Sequence, residues 1–313
     1  MPRILITGVL GMIGRALSES LLRKEGYVVE GIDIKPFPET MAGSKLQFSR
    51  IDIRDEAAII NLIANGKYDC IVHLAAISRV VDGEKDKPNC IQTNYVGTKN
   101  IIDAVANYSP STHVIFASSR EVYGEQKNLP VSEDAELLPI NVYGFYKLLA
   151  EQYIRATVSN YTILRLCIVY GSVNDLPGRV IPNFVRRAIT GETMTIEGGS
   201  QMIDFTYIID TVWAFGRCIE LLPIGTVNKE TITISPGEGH TLQEIVEILS
   251  SELGRNLNVR ITPERNYDVQ RFVGNRAHRE ELLGDRRFLS LPEGIRQTLT
   301  LYKNLYRNDE LKG

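Results

Sequence analysis

The chain is expected to fold as an α/β protein with a doubly wound, mainly parallel sheet and a smaller C-terminal lobe. Three observations predict this. Short Val- and Ile-rich runs alternate with amphipathic stretches through the first half, a glycine-rich turn follows the first such run, and the alternation breaks up after about Cys167. With 313 residues, 43% of them hydrophobic and 23% charged, the chain can bury a sizeable core unaided.

Arg3 to Thr7 and Tyr27 to Asp33 read as buried strands, and a leucine stripe from Met12 to Arg23 between them reads as a helix. The runs LQFSRID, YDCIVHLAA, THVIFAS and YTILRL continue as strands. EAAIINLIAN, QTNYVGTKNIIDAVAN and NVYGFYKLLAEQYIRATV separate them as helices. Such regular alternation implies right-handed crossovers, hence parallel strands with helices on both faces. Beyond Cys167 the segments SVNDLPGRVIPN and ERNYDVQRFVGNR are rich in Pro, Gly, Asn and Arg, as suits a smaller lobe that closes on a ligand. TITISP and TLQEIVEIL then return to strand and helix, so the two lobes are expected to exchange chain more than once.

A formal charge of -3, with both signs mixed along the chain, leaves no electrostatic footprint for nucleic acid or an anionic membrane. No apolar run approaches the ~20 residues that span a bilayer, and the N-terminus carries no cleavage signal, so the cytoplasm is the expected location. Cys70, Cys90, Cys167 and Cys218 form no CxxC pair, and His73, His113, His240 and His278 show no HxxxH spacing. No metal is expected. His73, inside DCIVHLAA, reads as a core histidine.

The stretch TGVLGMIG places Gly8, Gly11 and Gly14 directly after the first strand and at the opening of the first helix. Glycine permits a tight turn and close backbone approach, and a helix N-terminus offers free amides to a pyrophosphate. The spacing is GxxGxxG rather than the commoner GxGxxG. Asp33 ends the second strand, where an acid accepts from a ribose diol and repels a 2′-phosphate, which favours NAD over NADP; Lys35 nearby works against this. Asp52 either receives an adenine amino group or caps the helix of EAAII.

YGFYK sets Tyr143 and Lys147 four residues apart, on one face of a helix. An ammonium beside a phenol lowers its pKa and makes it a usable base. Ser118 and Ser119 end the VIFAS strand, and in a doubly wound sheet the ligand crevice lies beyond the carboxyl ends of the strands. There Ser119 can hydrogen-bond the substrate oxygen that Tyr143 protonates and deprotonates.

In order and spacing, TGVLGMIG, IDI, HLAA, TNYVGT, FASSREVYG and YGFYK resemble the extended short-chain dehydrogenase/reductase family, specifically its nucleotide-sugar epimerases and dehydratases. GGSQMIDFTYIID and ERNYDVQRFVGNRAHREELLG extend the resemblance over nearly the whole chain. It implies a Rossmann-type NAD-binding domain over residues 1–167, with about 205–236 returning to it, and a substrate-binding lobe mainly over 168–313. It implies Ser119, Tyr143 and Lys147 as the catalytic triad, with Asn94 ordering the relay through water. NAD contacts would fall to Gly8, Gly11, Met12, Ile13, Gly14, Asp33, Asp52, Ile53, Leu74, Ala75, Ala76, Asn94, Tyr143 and Lys147. The substrate, a nucleoside-diphosphate sugar, would meet Ser119, Arg120, Glu121, Asn183 and Arg265. Relatives pair as homodimers through helices matching Asn94 to Val105 and Tyr143 to Ala156.

Two positions depart from the family pattern: Ile168 replaces the asparagine of R-x-x-N-x-x-G, and Ile203 replaces a phosphate-binding arginine. Both remove polar contacts to a diphosphate. Arg179, Arg186, Arg187, Arg265 and Arg271 are available in their place. Glu121 stands where dehydratases of the family keep a glutamate that takes the C5 proton. Arg120 replaces the preceding acid and cannot donate a proton, though it can hold a carboxylate. The expected function is an NAD-dependent nucleotide-sugar 4-epimerase. The alternatives are a dehydratase or uronate decarboxylase that uses Glu121, and a redox-sensing NAD-binding regulator.

Overall fold

The computed structural model describes residues 1–310. Among them a seven-stranded parallel sheet is built from β1 (Arg3–Thr7), β2 (Val28–Asp33), β3 (Gln47–Arg50), β4 (Cys70–His73), β5 (His113–Ser119), β6 (Tyr161–Leu166) and β10 (Glu230–Ile234). Their order is β10-β6-β5-β4-β1-β2-β3, so the winding reverses between β1 and β4. A crevice opens at such a reversal, beyond the carboxyl ends of the strands.

Helices α1 (Met12–Arg23) and α8 (Ile208–Leu221) pack together on one face, where Leu17, Leu21, Phe215 and Cys218 join a core that runs into the smaller lobe. On the other face α2 (Glu56–Gly66), α5 (Gly97–Tyr108) and α6 (Val142–Thr157) bury Ile59, Ile63, Ile101, Ile102 and Ile154 in a second core. Burial on both faces explains the unbroken apolar runs: all seven residues of β5 are buried.

Two expectations are adjusted. The helix predicted from Gln92 starts with a π-helical turn over Gln92–Val96, after the short helices α3 (Val80–Lys85) and α4 (Lys87–Ile91). The cap of α2 is Asp55, whose carboxylate accepts from Ala58 N at 3.0 Å, rather than Asp52.

The smaller lobe centres on β9 (Met202–Tyr207), flanked by β7 (Ile168–Tyr170), β11 (Gly239–Thr241) and β13 (Arg271–Phe272). A parallel pair, β8 (Met194–Glu197) with β12 (Val259–Thr262), lies beside it in sequence. The helices α7 (Val180–Thr190), α9 (Leu242–Leu253), α10 (Ala277–Leu283) and α11 (Leu291–Glu310) complete the described chain. No helix among the described residues is long and apolar enough to cross a membrane.

Candidate active site

The glycine turn is required by packing. A Cβ on Gly8, at φ +69°, would lie 2.8 Å from Ala75 N, and one on Gly14 would lie 2.4 Å from Gly8 O. The turn is also fastened from below. Thr7 Oγ1 accepts from the amides of Leu74 and Ala75 at 3.2 and 3.1 Å and donates to His73 Nδ1 at 2.7 Å; His73 Nε2 bonds Thr98 Oγ1 at 2.9 Å. Burial pulls the His73 pKa down to about 3, so this link is a neutral imidazole. At the end of β2, Asp33 accepts from Leu10 N and from Lys35 N, each at 3.0 Å.

Met12 and Ile53 are buried beside this loop, while Ile13, Leu74, Ala75 and Ala76 remain half-buried. Asp52 is bound by Arg54, which donates to it at 2.6 Å and holds its carboxyl below the usual range. Asn94 bonds the backbone of Ile77 in both directions, at 2.8 and 3.0 Å, and so pins the loop that leaves β4.

Ser119, Tyr143 and Lys147 are 7, 8 and 3% exposed, at the end of β5 and the start of α6. One expectation fails here. The Lys147 ammonium does not reach the phenol: it donates to Ala117 O at 2.7 Å, 4.6 Å from the Phe116 ring centroid and 6.0 Å from that of Tyr143. Burial accordingly pushes the Tyr143 pKa up to about 12, against the pull of the Ser119 hydroxyl and the Arg179 charge. Burial also pulls Lys147 down to about 8, opposed by Cys90 and Glu151.

A family model described as the NAD dependent epimerase/dehydratase family matches residues 4–227. The chain belongs to that family. It is 28% identical, over 96% of its length and 98% of the relative's, to a putative UDP-glucose 4-epimerase of Methanocaldococcus jannaschii. Among solved structures, the UDP-glucuronic acid 4-epimerase of Bacillus cereus, in complex with UDP-glucuronic acid and NAD, superposes with a TM-score of 0.88. That pair is 27% identical and covers 97% of this chain and 100% of the other. A UDP-glucose 4-epimerase of Thermotoga maritima with UDP-glucose gives a TM-score of 0.89 at 26% identity, over 97% of this chain and 99% of its own. This member of the epimerase/dehydratase family is an enzyme, and its cofactor is NAD.

Arg120 and Glu121 follow Ser119 directly at the end of β5. Arg120 and Glu121 are 6 and 5% exposed and pair with each other, Nη2 to Oε1, at 2.8 Å. The other Glu121 oxygen accepts from Asn141 Nδ2 at 2.7 Å. Arg120 lies 5.7 Å from the Phe272 ring centroid, and its Nη1 is buried without a partner. Asn183 accepts from Arg187 Nε at 2.8 Å, and Arg265 is paired with Asp268 at 2.7 Å and Glu197 at 3.1 Å. Ile203 is buried in β9. Arg179 donates to Ser78 Oγ at 2.8 Å.

Three residues at this site carried a sequence signal that went unread. Asn141 stands immediately before α6, where asparagine is a preferred cap. Glu151 falls one helical turn beyond Lys147, on the same face. Arg165 is a charge inside the apolar run YTILRL, which requires a buried partner.

Proposed function

We propose that this enzyme is a nucleoside-diphosphate-sugar 4-epimerase that oxidises and re-reduces the sugar at C4. The carrying observation is that both oxygens of Glu121 are engaged, by Arg120 and by Asn141, in a buried pair. Proton transfer then falls to Ser119 and Tyr143. Elimination would require Glu121 to leave two charge-assisted partners and a dry environment.

Bound NAD supplies an acceptor for the C4 hydride and, when oxidised, a positive charge that favours the phenolate of Tyr143. The glycine turn fits it: Gly8 and Gly14 leave no room for side chains, Asp33 is held by the Leu10 amide, and no side chain caps the N-terminus of α1. Ser119 orients the C4 hydroxyl, and Tyr143 takes its proton as the C4 hydrogen departs as hydride. The resulting C4 ketone turns over within the site. Tyr143 would then return the proton to the carbonyl oxygen when the ketone is reduced again. Lys147, bonded to Ala117 O, supports the phenolate as a nearby buried charge rather than as a direct partner.

The named relatives act on UDP-sugars, which supports a diphosphate-linked sugar here. With Ile203 buried, the diphosphate is assigned to Arg179, whose charge already acts on Tyr143, and to Arg265. The test is a panel of UDP-, dTDP-, GDP- and CDP-sugars, with products read by mass spectrometry and NMR. A C4 epimer of unchanged mass is the expected product. Loss of water or of carbon dioxide would overturn the reading.

A further inference from the structure

Glu151 is fully buried on α6, one turn beyond Lys147 and two beyond Tyr143. Arg165 grips both its oxygens, Nε to Oε1 at 3.1 Å and Nη2 to Oε2 at 2.8 Å. Ser118 Oγ donates to the same Oε1 at 2.5 Å. Ser118 and Arg165 face each other in the β5–β6 register. Arg165 is itself fixed, donating to Glu133 O at 3.2 Å and lying 4.7 Å from the Tyr123 ring centroid. Successive residues of β5 therefore each serve the helix or the site: the Ala117 carbonyl holds Lys147, the Ser118 hydroxyl holds Glu151, and Ser119 stands beside Tyr143.

We infer that Glu151 is a positioning residue of the reaction, which locks α6 to β5 and supplies the negative charge that keeps the buried Lys147 ammonium protonated. The inference about catalysis rests on the proposed epimerase reading; the charge coupling does not.

A buried ammonium with only a carbonyl and an aromatic ring around it loses its proton readily, because burial penalises the charged form. Several groups face Lys147. Glu151 favours its charge, while Cys90 of α4 is a thiol that burial raises to about 11, His73 of β4 a neutral imidazole and Tyr143 a neutral phenol in the resting protein. Glu151 is in turn faced by Arg165 from β6 and, at 3.9 Å, by Arg155 from its own helix. Arg165 bonds the carboxylate directly, while Lys147, one helical turn away, bonds the Ala117 carbonyl. Two substitutions should thus move Lys147 in opposite directions. Glu151→Gln keeps the shape and removes the charge, so the Lys147 midpoint should fall. Arg165→Met removes the cation that neutralises Glu151, so the midpoint should rise.

The experiment follows the ¹³Cε shift of Lys147 against pH in lysine-labelled holoprotein, assigned by Lys147→Met. Melting curves and NAD content confirm folding, and Glu151→Asp serves as the conservative variant. The expected result is a fall of about 1 pH unit in Glu151→Gln, a rise in Arg165→Met, and partial recovery in Glu151→Asp. Where a sugar substrate is turned over, the alkaline limb of kcat should move with the same sign, with KM little changed. An unmoved Lys147 in folded Glu151→Gln, or shifts of the same sign in both variants, would overturn the inference. Opposite shifts without any sugar turnover by the unsubstituted enzyme would sink the epimerase reading and leave the coupling standing.

Discussion

Asn141 donates its side-chain amide to Glu121 at 2.7 Å while its side-chain oxygen accepts from Gly144 N at 2.8 Å. One side chain therefore starts the helix that bears Tyr143 and also holds the Glu121 oxygen that Arg120 leaves free. Asn141 Nδ2 also reaches Tyr267 O at 3.2 Å, which ties this corner to the C-terminal segment.

The first prediction tests that arrangement. Glu121→Gln should spare most epimerisation, since the amide keeps the shape and one of the two accepting oxygens, and no C5 proton moves. Tyr143→Phe should lose ~10²- to 10⁴-fold in kcat, the usual contribution of a general acid–base group. Product loss in Glu121→Gln, with NADH absorbance appearing transiently on adding substrate, would instead mean that oxidation occurs and a later elimination has stalled.

NAD should bind at least about tenfold more tightly than NADP, a difference of ~1.4 kcal/mol. Asp33 is held in place by the Leu10 and Lys35 amides, so its charge cannot swing away from a 2′-phosphate. Calorimetric titration of cofactor-stripped protein with both nucleotides measures the ratio. Equal affinities would remove the role given to Asp33.

Stability should decline as pH falls from 7 to 5. Unfolded imidazoles bind a proton near 6.5, whereas burial pulls His73 down to about 3 and His113 to about 4. Between those values the unfolded chain holds more protons, so each histidine withdraws about 2 kcal/mol at pH 5. Asp204 opposes this: burial raises it to about 6, so the folded state gains a proton first. The two histidines together outweigh the one carboxylate. Urea midpoints at the two pH values give the measurement, and an unchanged midpoint would contradict neutral, buried imidazoles.

A homodimer is predicted through α5 and α6. Phe145 and Tyr108 stand 52 and 53% exposed on these helices, and the apolar residues of FYKLLAEQYI are too many for one face. Light scattering should report a dimer, with Phe145→Glu weakening it. A monomeric unsubstituted protein at micromolar concentration would count decisively against the assignment.

Local spacing by itself determined the alternation of strand and helix, the glycine turn after β1, and the placing of Tyr143 and Lys147 on one helical face. Those features depend on period and on residue-specific backbone freedom, which neighbours in sequence settle. The seven-stranded family fold follows from the same alternation. Tertiary structure alone decided which partner each buried charge takes. Lys147 turned to the Ala117 carbonyl rather than to the phenol, and Glu121 was claimed by Arg120 and by Asn141, 20 residues away. Glu151 on α6 found Arg165 on β6. A desolvated charge takes whichever opposite group the packed fold leaves within reach, and that choice is made in three dimensions, beyond the range of any local pattern.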